Sequence, residues 1–173
     1  MTAPILITGF EPFAQHTINS SWEGVRLLRS VDYGELGGIE ALRLPVDHAR
    51  AAAEVRAAIA ALCPRAVLLS GLATDTAPRL ETLARRPAQP GFAGPDLRAG
   101  RWAFARARAA MGHARLSRDA GAYVCETAYW TALGAAPLSV PVVFVHVPPL
   151  GGAWNARRIA RVLHAGLSVL KSL

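Results

Sequence analysis

A thiol, an imidazole and a carboxylate stand out in this sequence by their settings. Cys125 follows Ala120-Gly121-Ala122-Tyr123-Val124 and opens a run that reads as a helix start. His146 interrupts an apolar strand, Val142-Val143-Phe144-Val145-His146-Val147, that ends at Pro148. Glu81 lies within Arg79-Leu80-Glu81-Thr82-Leu83-Ala84. Together the three are the parts of a cysteine nucleophile: a thiol that attacks, an imidazole that moves its proton, and a carboxylate that orients the imidazole. Each has a plainer reading alone. A buried cysteine is ordinarily a small hydrophobe, a lone histidine in an apolar strand is ordinarily a satisfied core residue, and Glu81 reads as a loop or helix-start charge.

The elements that must position them alternate between strand and helix. Residues 4–8 form a short apolar strand that Gly9 is expected to end. Ser20-x-x-Glu23 has the form of a capping box for a helix to about Arg29. A strand over 39–45 precedes an Ala-rich helix over 49–61, with Val55, Ile59 and Leu62 at helical spacing, and Pro64 stops it. Ala66–Ser70 is another apolar strand. Residues 87–100 are rich in Pro and Gly and read as a loop, and residues 101–111 read as a helix. Arg115–Ser117 is a short strand, a helix runs from Cys125 to about Leu133, and Val142–Val147 is a central strand. Asn155 caps a last helix that carries Ile159, Val162, Leu163 and Leu170. This order predicts one three-layer α/β/α domain over residues 1–173, with a mostly parallel or mixed twisted sheet and helices on both faces. His146 then falls at the end of a strand, the edge where open α/β sheets place their sites. Cys125 falls at a helix start, where unpaired N–H groups favour a thiolate and donate to a developing oxyanion.

Composition narrows the function class. The 173 residues are 52% hydrophobic, with no run long enough to span a membrane and no signal-peptide pattern at the start. Two cysteines make no disulfide framework, so Cys63 and Cys125 are expected reduced and the protein cytoplasmic. No P-loop, dinucleotide fingerprint or paired Cys/His spacing occurs, so neither cofactor nor metal is expected. The net charge is +7. The arginines scatter along Ala-rich helices rather than forming a patch, and only Lys171 is lysine, which argues against nucleic acid as a partner. A homo-oligomer is left open. His16, His48, His113 and His164 belong to no motif and read as surface or helix residues.

The opening Ile5-Leu6-Ile7-Thr8-Gly9-Phe10-Glu11-Pro12-Phe13, then Asn19-Ser20-Ser21-Trp22-Glu23, resembles the start of type I pyroglutamyl peptidases, also called pyrrolidone carboxyl peptidases. The segments around Cys125 and His146 are similar to the nucleophile and histidine motifs of that family, in the same order and at similar spacing. The resemblance implies a cysteine exopeptidase that removes N-terminal pyroglutamate from blocked peptides, with Cys125, His146 and Glu81 as its triad. It implies that Phe10, Phe13 and Tyr123 wall a pocket for the pyroglutamyl ring, that Asn19 supports the opening loop, and that Leu72 stands where some members place Gln.

The chain departs from the family in places. Ala73-Thr74-Asp75-Thr76 replaces a Gly-Gly-Arg turn, Ala84-Arg85-Arg86-Pro87 leads into a different loop, and the segment from Glu81 to Cys125 is short. The family's oxyanion-site arginine has no clear match, Arg85 and Arg86 being nearby candidates. Glu126 replaces the common Asn after the nucleophile, and a carboxylate there opposes thiolate formation if it points inward. Two alternatives follow: a related amidase with a changed acyl pocket, or a pseudoenzyme that binds small ligands in the same cleft.

Overall fold

The computed structural model describes residues 3–28, 38–112 and 114–172. Arg29 and His113 lie outside the described residues. In chain order the elements are β1 (Ile5–Phe10), α1 (Ser20–Leu28), β2 (Ile39–Leu44), α2 (His48–Leu62), β3 (Ala66–Leu72), β4 (Arg79–Glu81), β5 (Leu83–Arg85), β6 (Leu97–Ala99), α3 (Phe104–Ala110), β7 (Arg115–Ser117), α4 (Val124–Ala135), β8 (Val142–Val147) and α5 (Ala156–Ser168).

A six-stranded sheet has the order β2-β1-β3-β8-β4-β7. The first four strands are parallel, and β4 joins β8 antiparallel with β7 parallel to β4. The strands are apolar on both faces because both faces are covered, as in other parallel sheets. Ile5, Ile7, Leu68, Val143 and Val145 pack on one side against Val25 of α1, Ala107 of α3 and Ile159 and Leu163 of α5. Leu6, Phe10, Val67, Leu69, Val142 and Phe144 pack on the other side against Val55 and Ile59 of α2 and Ala128, Tyr129 and Leu133 of α4. This is the α/β/α arrangement that the strand–helix alternation predicts.

Three local expectations are corrected. The first strand runs past Gly9 to Phe10. At Gly9 an added Cβ would lie 2.7 Å from the Trp22 backbone, so this glycine lets α1 start tightly against the strand rather than ending it. The capping box at Ser20 does not form. Asn19 Oδ1 instead accepts from Ser21 N–H at 3.1 Å, Ser20 Oγ is buried without a partner, and Glu23 pairs with Arg26. The Pro/Gly-rich segment contains β6, which pairs antiparallel with β5 to form a hairpin over α4. Asn155 caps the last helix as expected, accepting from Arg158 N–H, and Asp47, not expected as a cap from the sequence, caps α2 by accepting from Arg50 N–H. Cys63 ends α2 in the left-handed region just before Pro64.

Candidate active site

The alternation of side chains along a strand places the candidate residues on one face. Phe144 and His146 are two apart on β8, so both point toward the α2–α4 layer, where Phe144 is packed. Glu81 lies opposite Phe144 in the antiparallel β4–β8 pairing, and Arg79 lies opposite His146. Leu80 between them belongs to the other layer, with Val143 and Val145. Both charged residues of β4 therefore share the face of His146.

Glu81 and His146 form a buried pair. Nδ1 is 2.8 Å from Glu81 Oε1, with the carboxylate fully buried and the imidazole 4% exposed. An ionised carboxylate only accepts, so this contact puts the proton on Nδ1 and leaves Nε2 free to accept one. Burial pushes the Glu81 carboxyl up, but the hydrogen bonds from His146 and Arg79 outweigh it and hold the group below its ordinary value. Tyr129 Oη donates to the Glu81 carbonyl at 2.7 Å, which ties the end of β4 to α4.

Cys125 sits in the first turn of α4, one residue inside the helix. Its sulfur rests on Gly71 near the end of β3, where an added Cβ would meet Sγ at 2.7 Å. Gly71 is the register partner of His146. A bare glycine at this position leaves room for the thiol over β3, the neighbour of the strand that carries His146. Both cysteines are free thiols. Burial pushes the Cys125 thiol up to about 12; Glu81 and Glu126 add to this, and Arg79 draws it down. The sulfur is thus held as a neutral thiol that needs a base.

Glu126 does point inward, at 5% exposure. One carboxylate oxygen accepts the backbone N–H of Arg85 and the other is buried without a partner. Burial raises this carboxyl, against the Arg85 hydrogen bond. The residue pins β5 to the start of α4.

The residues expected to bind substrate are placed unequally. Asn19 is buried and holds the opening loop, donating from Nδ2 to the Glu11 carbonyl at 3.0 Å and accepting from Ser21 Oγ at 2.8 Å. Phe10 is 3% exposed and belongs to the core. Phe13 is half-buried, with its ring 5.2 Å from that of His16. Leu72 is half-buried at the end of β3, and Tyr123 is 76% exposed. Arg85 pairs with Asp119 and Arg86 with Asp96, both at the surface. A cavity of about 690 Å³ lies between Arg98, Arg101 and the C-terminal end of α4, away from these residues.

Two participants were not expected from the sequence. Arg79 contacts both Glu81 and His146, and its spacing of two from Glu81 is the signal that could have found it. His48, expected to be an unremarked surface or helix residue, bonds Thr127 Oγ1 at 2.7 Å and Gln89 Nε2 at 3.1 Å, which joins the start of α2 to α4.

A family profile described as pyroglutamyl peptidase matches residues 3–84. The chain is 33% identical over 168 residues to pyrrolidone-carboxylate peptidase of Pseudomonas fluorescens (strain SBW25), covering 84% of this chain and 78% of the relative. This chain belongs to the pyroglutamyl peptidase family. The crystal structure of pyrrolidone carboxyl peptidase from Thermus thermophilus agrees with it at a TM-score of 0.81 and 30% identity, covering 94% of this chain and 98% of that one. Pyroglutamyl peptidase I of Bacillus amyloliquefaciens shares the fold at a TM-score of 0.87 and 20% identity, over 99% and 98% of the two chains. As a member of the pyroglutamyl peptidase family the chain carries the family's sheet and helices. No helix among the described residues is long and apolar enough to cross a membrane.

Proposed function

We propose that this chain is a cysteine exopeptidase that releases N-terminal pyroglutamate from peptides, with Cys125, His146 and Glu81 as its catalytic triad. The observation that carries the triad is the buried 2.8 Å pair of His146 and Glu81, with the Cys125 sulfur seated on the register partner of that histidine. His146 Nε2 takes the thiol proton as Sγ attacks the carbonyl carbon of the pyroglutamyl amide. The carbonyl π pair moves to oxygen, and the N–H groups of the first turn of α4 stabilise the oxyanion. As the tetrahedral intermediate collapses, the C–N bond breaks and the imidazolium proton goes to the leaving amine. A water then attacks the thioester and gives one proton to Nε2; the C–S bond breaks, the proton passes from Nε2 to the departing sulfur, and pyroglutamate and the thiol are freed. Glu81 keeps Nδ1 protonated throughout and stabilises the imidazolium.

The acyl ring is read by Phe13, Tyr123 and the edge of Phe10 at the end of β1, with Leu72 beside them and Asn19 fixing the loop that carries Phe13. Apolar walls suit a neutral lactam, because a charged glutamine or glutamate amino terminus would be buried unpaired there. The proposal places the protein in the cytoplasm, where its two thiols remain reduced.

A fluorogenic pyroglutamyl amide tests the reading. The reduced protein is expected to release the fluorophore, and Cys125→Ala to release none. Cleavage of a different small acyl amide with none of the pyroglutamyl one would move the assignment to a related amidase. Absence of both in a folded, reduced sample would end the catalytic reading.

A further inference from the structure

Arg79 is the charged group closest to the buried pair. Its Nε donates to Glu81 Oε1 at 2.7 Å, the oxygen that also faces His146 Nδ1. Its Nη1 donates to Asp75 Oδ2 at 2.7 Å, and its Nη2 lies 3.4 Å from Nδ1. The guanidinium is thus fixed at two points, Glu81 and Asp75, by a strand register that sets it opposite His146 and by Asp75 from the preceding loop. Asp75 also meets Arg115 of β7 at 3.9 Å. The side chain is 23% exposed, whereas Glu81 is fully enclosed.

We propose that Arg79 is a positioning residue that keeps the imidazole working as a base, by sharing the Glu81 carboxylate with His146 and anchoring the pair to Asp75. A fixed cation on the same oxygen offsets the buried carboxylate's charge and holds that oxygen in place. The imidazole is then oriented with Nδ1–H aimed at Oε1 and Nε2 open. The planar guanidinium spans Glu81 and Asp75 at once, which the single ammonium of a lysine would do less well. Arg79 also draws the Cys125 thiol down, so the same charge favours the thiolate that forms in attack.

The inference rests on the proposed triad, so its test has one arm that needs no substrate. In protein carrying ¹⁵N-labelled histidine, the Nδ1 proton of His146 is expected as a downfield resonance. Arg79→Gln is expected to shift or broaden it, to lower kcat about tenfold, and to leave KM within about twofold, the pattern of lost transition-state positioning. Arg79→Lys is expected to recover about a third of the wild-type kcat. Asp75→Asn, which leaves the guanidinium in place, is expected to give a smaller loss in the same direction and covers the case in which Arg79→Gln does not fold. An unchanged resonance and kcat in Arg79→Gln would overturn the proposal. So would a loss carried wholly by KM, or by a Tm drop that Arg79→Lys shares in full. A wild-type protein that shows the Arg79-dependent resonance yet cleaves no pyroglutamyl amide would instead sink the assigned substrate.

Discussion

At the scale of residues the site depends on two neutralisations. The Cys125 thiol is pushed up to about 12, chiefly by burial, so in the proposed mechanism attack on substrate is coupled to proton transfer to His146. Alkylation of Cys125 by iodoacetamide is therefore expected to keep accelerating as pH rises from 7 through 10, without the plateau near 9 of an ordinary thiol; a plateau below pH 8 would show a preformed thiolate. Cys125→Ser and His146→Ala are each expected to lower kcat by at least about 10³-fold, and Glu81→Gln by less, since orienting groups commonly contribute less than the nucleophile–base pair. Glu126 is the second case. Its carboxylate raises the thiol, while its hydrogen bond to Arg85 N–H holds the hairpin. Glu126→Gln keeps an acceptor for that N–H and removes the charge, so alkylation of Cys125 at pH 7 is expected to quicken by a few-fold. Glu126→Ala loses the acceptor and strands the N–H, and is expected to cost about 1–3 kcal/mol in urea unfolding.

At the scale of elements, the short ones do the positioning. β4 is three residues long, yet it delivers both Arg79 and Glu81 to the face of His146. The long elements were legible in the sequence because they carry their own periodicity or punctuation: apolar runs in β1, β3 and β8, the helical spacing of Val55 and Ile59 in α2, and the cap at Asn155. Three-residue strands have little period to read: β7 was legible, whereas β4, β5 and β6 were not. β4, β5 and β6 exist through partners distant in the chain, such as the pairing of Leu80 with Val145 across 65 residues, and so that part of the sequence reads as loop. The same distinction holds for the site. Cys125 and His146 sit in motifs that could be read directly, whereas the role of Arg79 depends on a register that no local pattern fixes. Arg101 was read as one of many scattered helix arginines. It lies before α3 and closes the C-terminal end of α4, donating to the carbonyls of Leu133, Ala136, Pro137 and Val140. Those of Leu133 and Ala136 are acceptors that the helix end leaves open, and those of Pro137 and Val140 belong to the segment that follows. Arg101→Ala is expected to lower unfolding free energy by about 1–3 kcal/mol, measured by urea denaturation, and to leave the pH dependence of alkylation unchanged.

At the scale of the whole molecule, the groups buried around the site set how stability varies with pH. On the acid side the Glu81 carboxyl is held low, so its contribution is present above its unfolded value of 4.5 and is lost as pH falls through the folded one. Glu126 has the opposite sign, because its raised carboxyl favours the folded state while protonated and costs stability as pH climbs past 4.5. On the alkaline side Cys125 and Tyr129 are both raised, each first by burial. For a raised thiol, folded and unfolded chains are equally protonated below the ordinary value of 9.0. Above it the unfolded chain releases a proton that the folded chain retains, so stability falls until the folded value of about 12 is reached. The slope for one such group is at most about 1.4 kcal/mol per pH unit. Tyr129 begins to add the same effect only above 10.0. The window between pH 9 and 10 therefore belongs mainly to Cys125. Replacing it by serine, which does not ionise there, is expected to flatten the fall of Tm between pH 9 and 10 and to leave the steeper fall above pH 10. Parallel Tm curves for the two proteins across pH 8–11 would mean that the thiol ionises alike in folded and unfolded chains, and the buried, base-dependent cysteine would have to be given up.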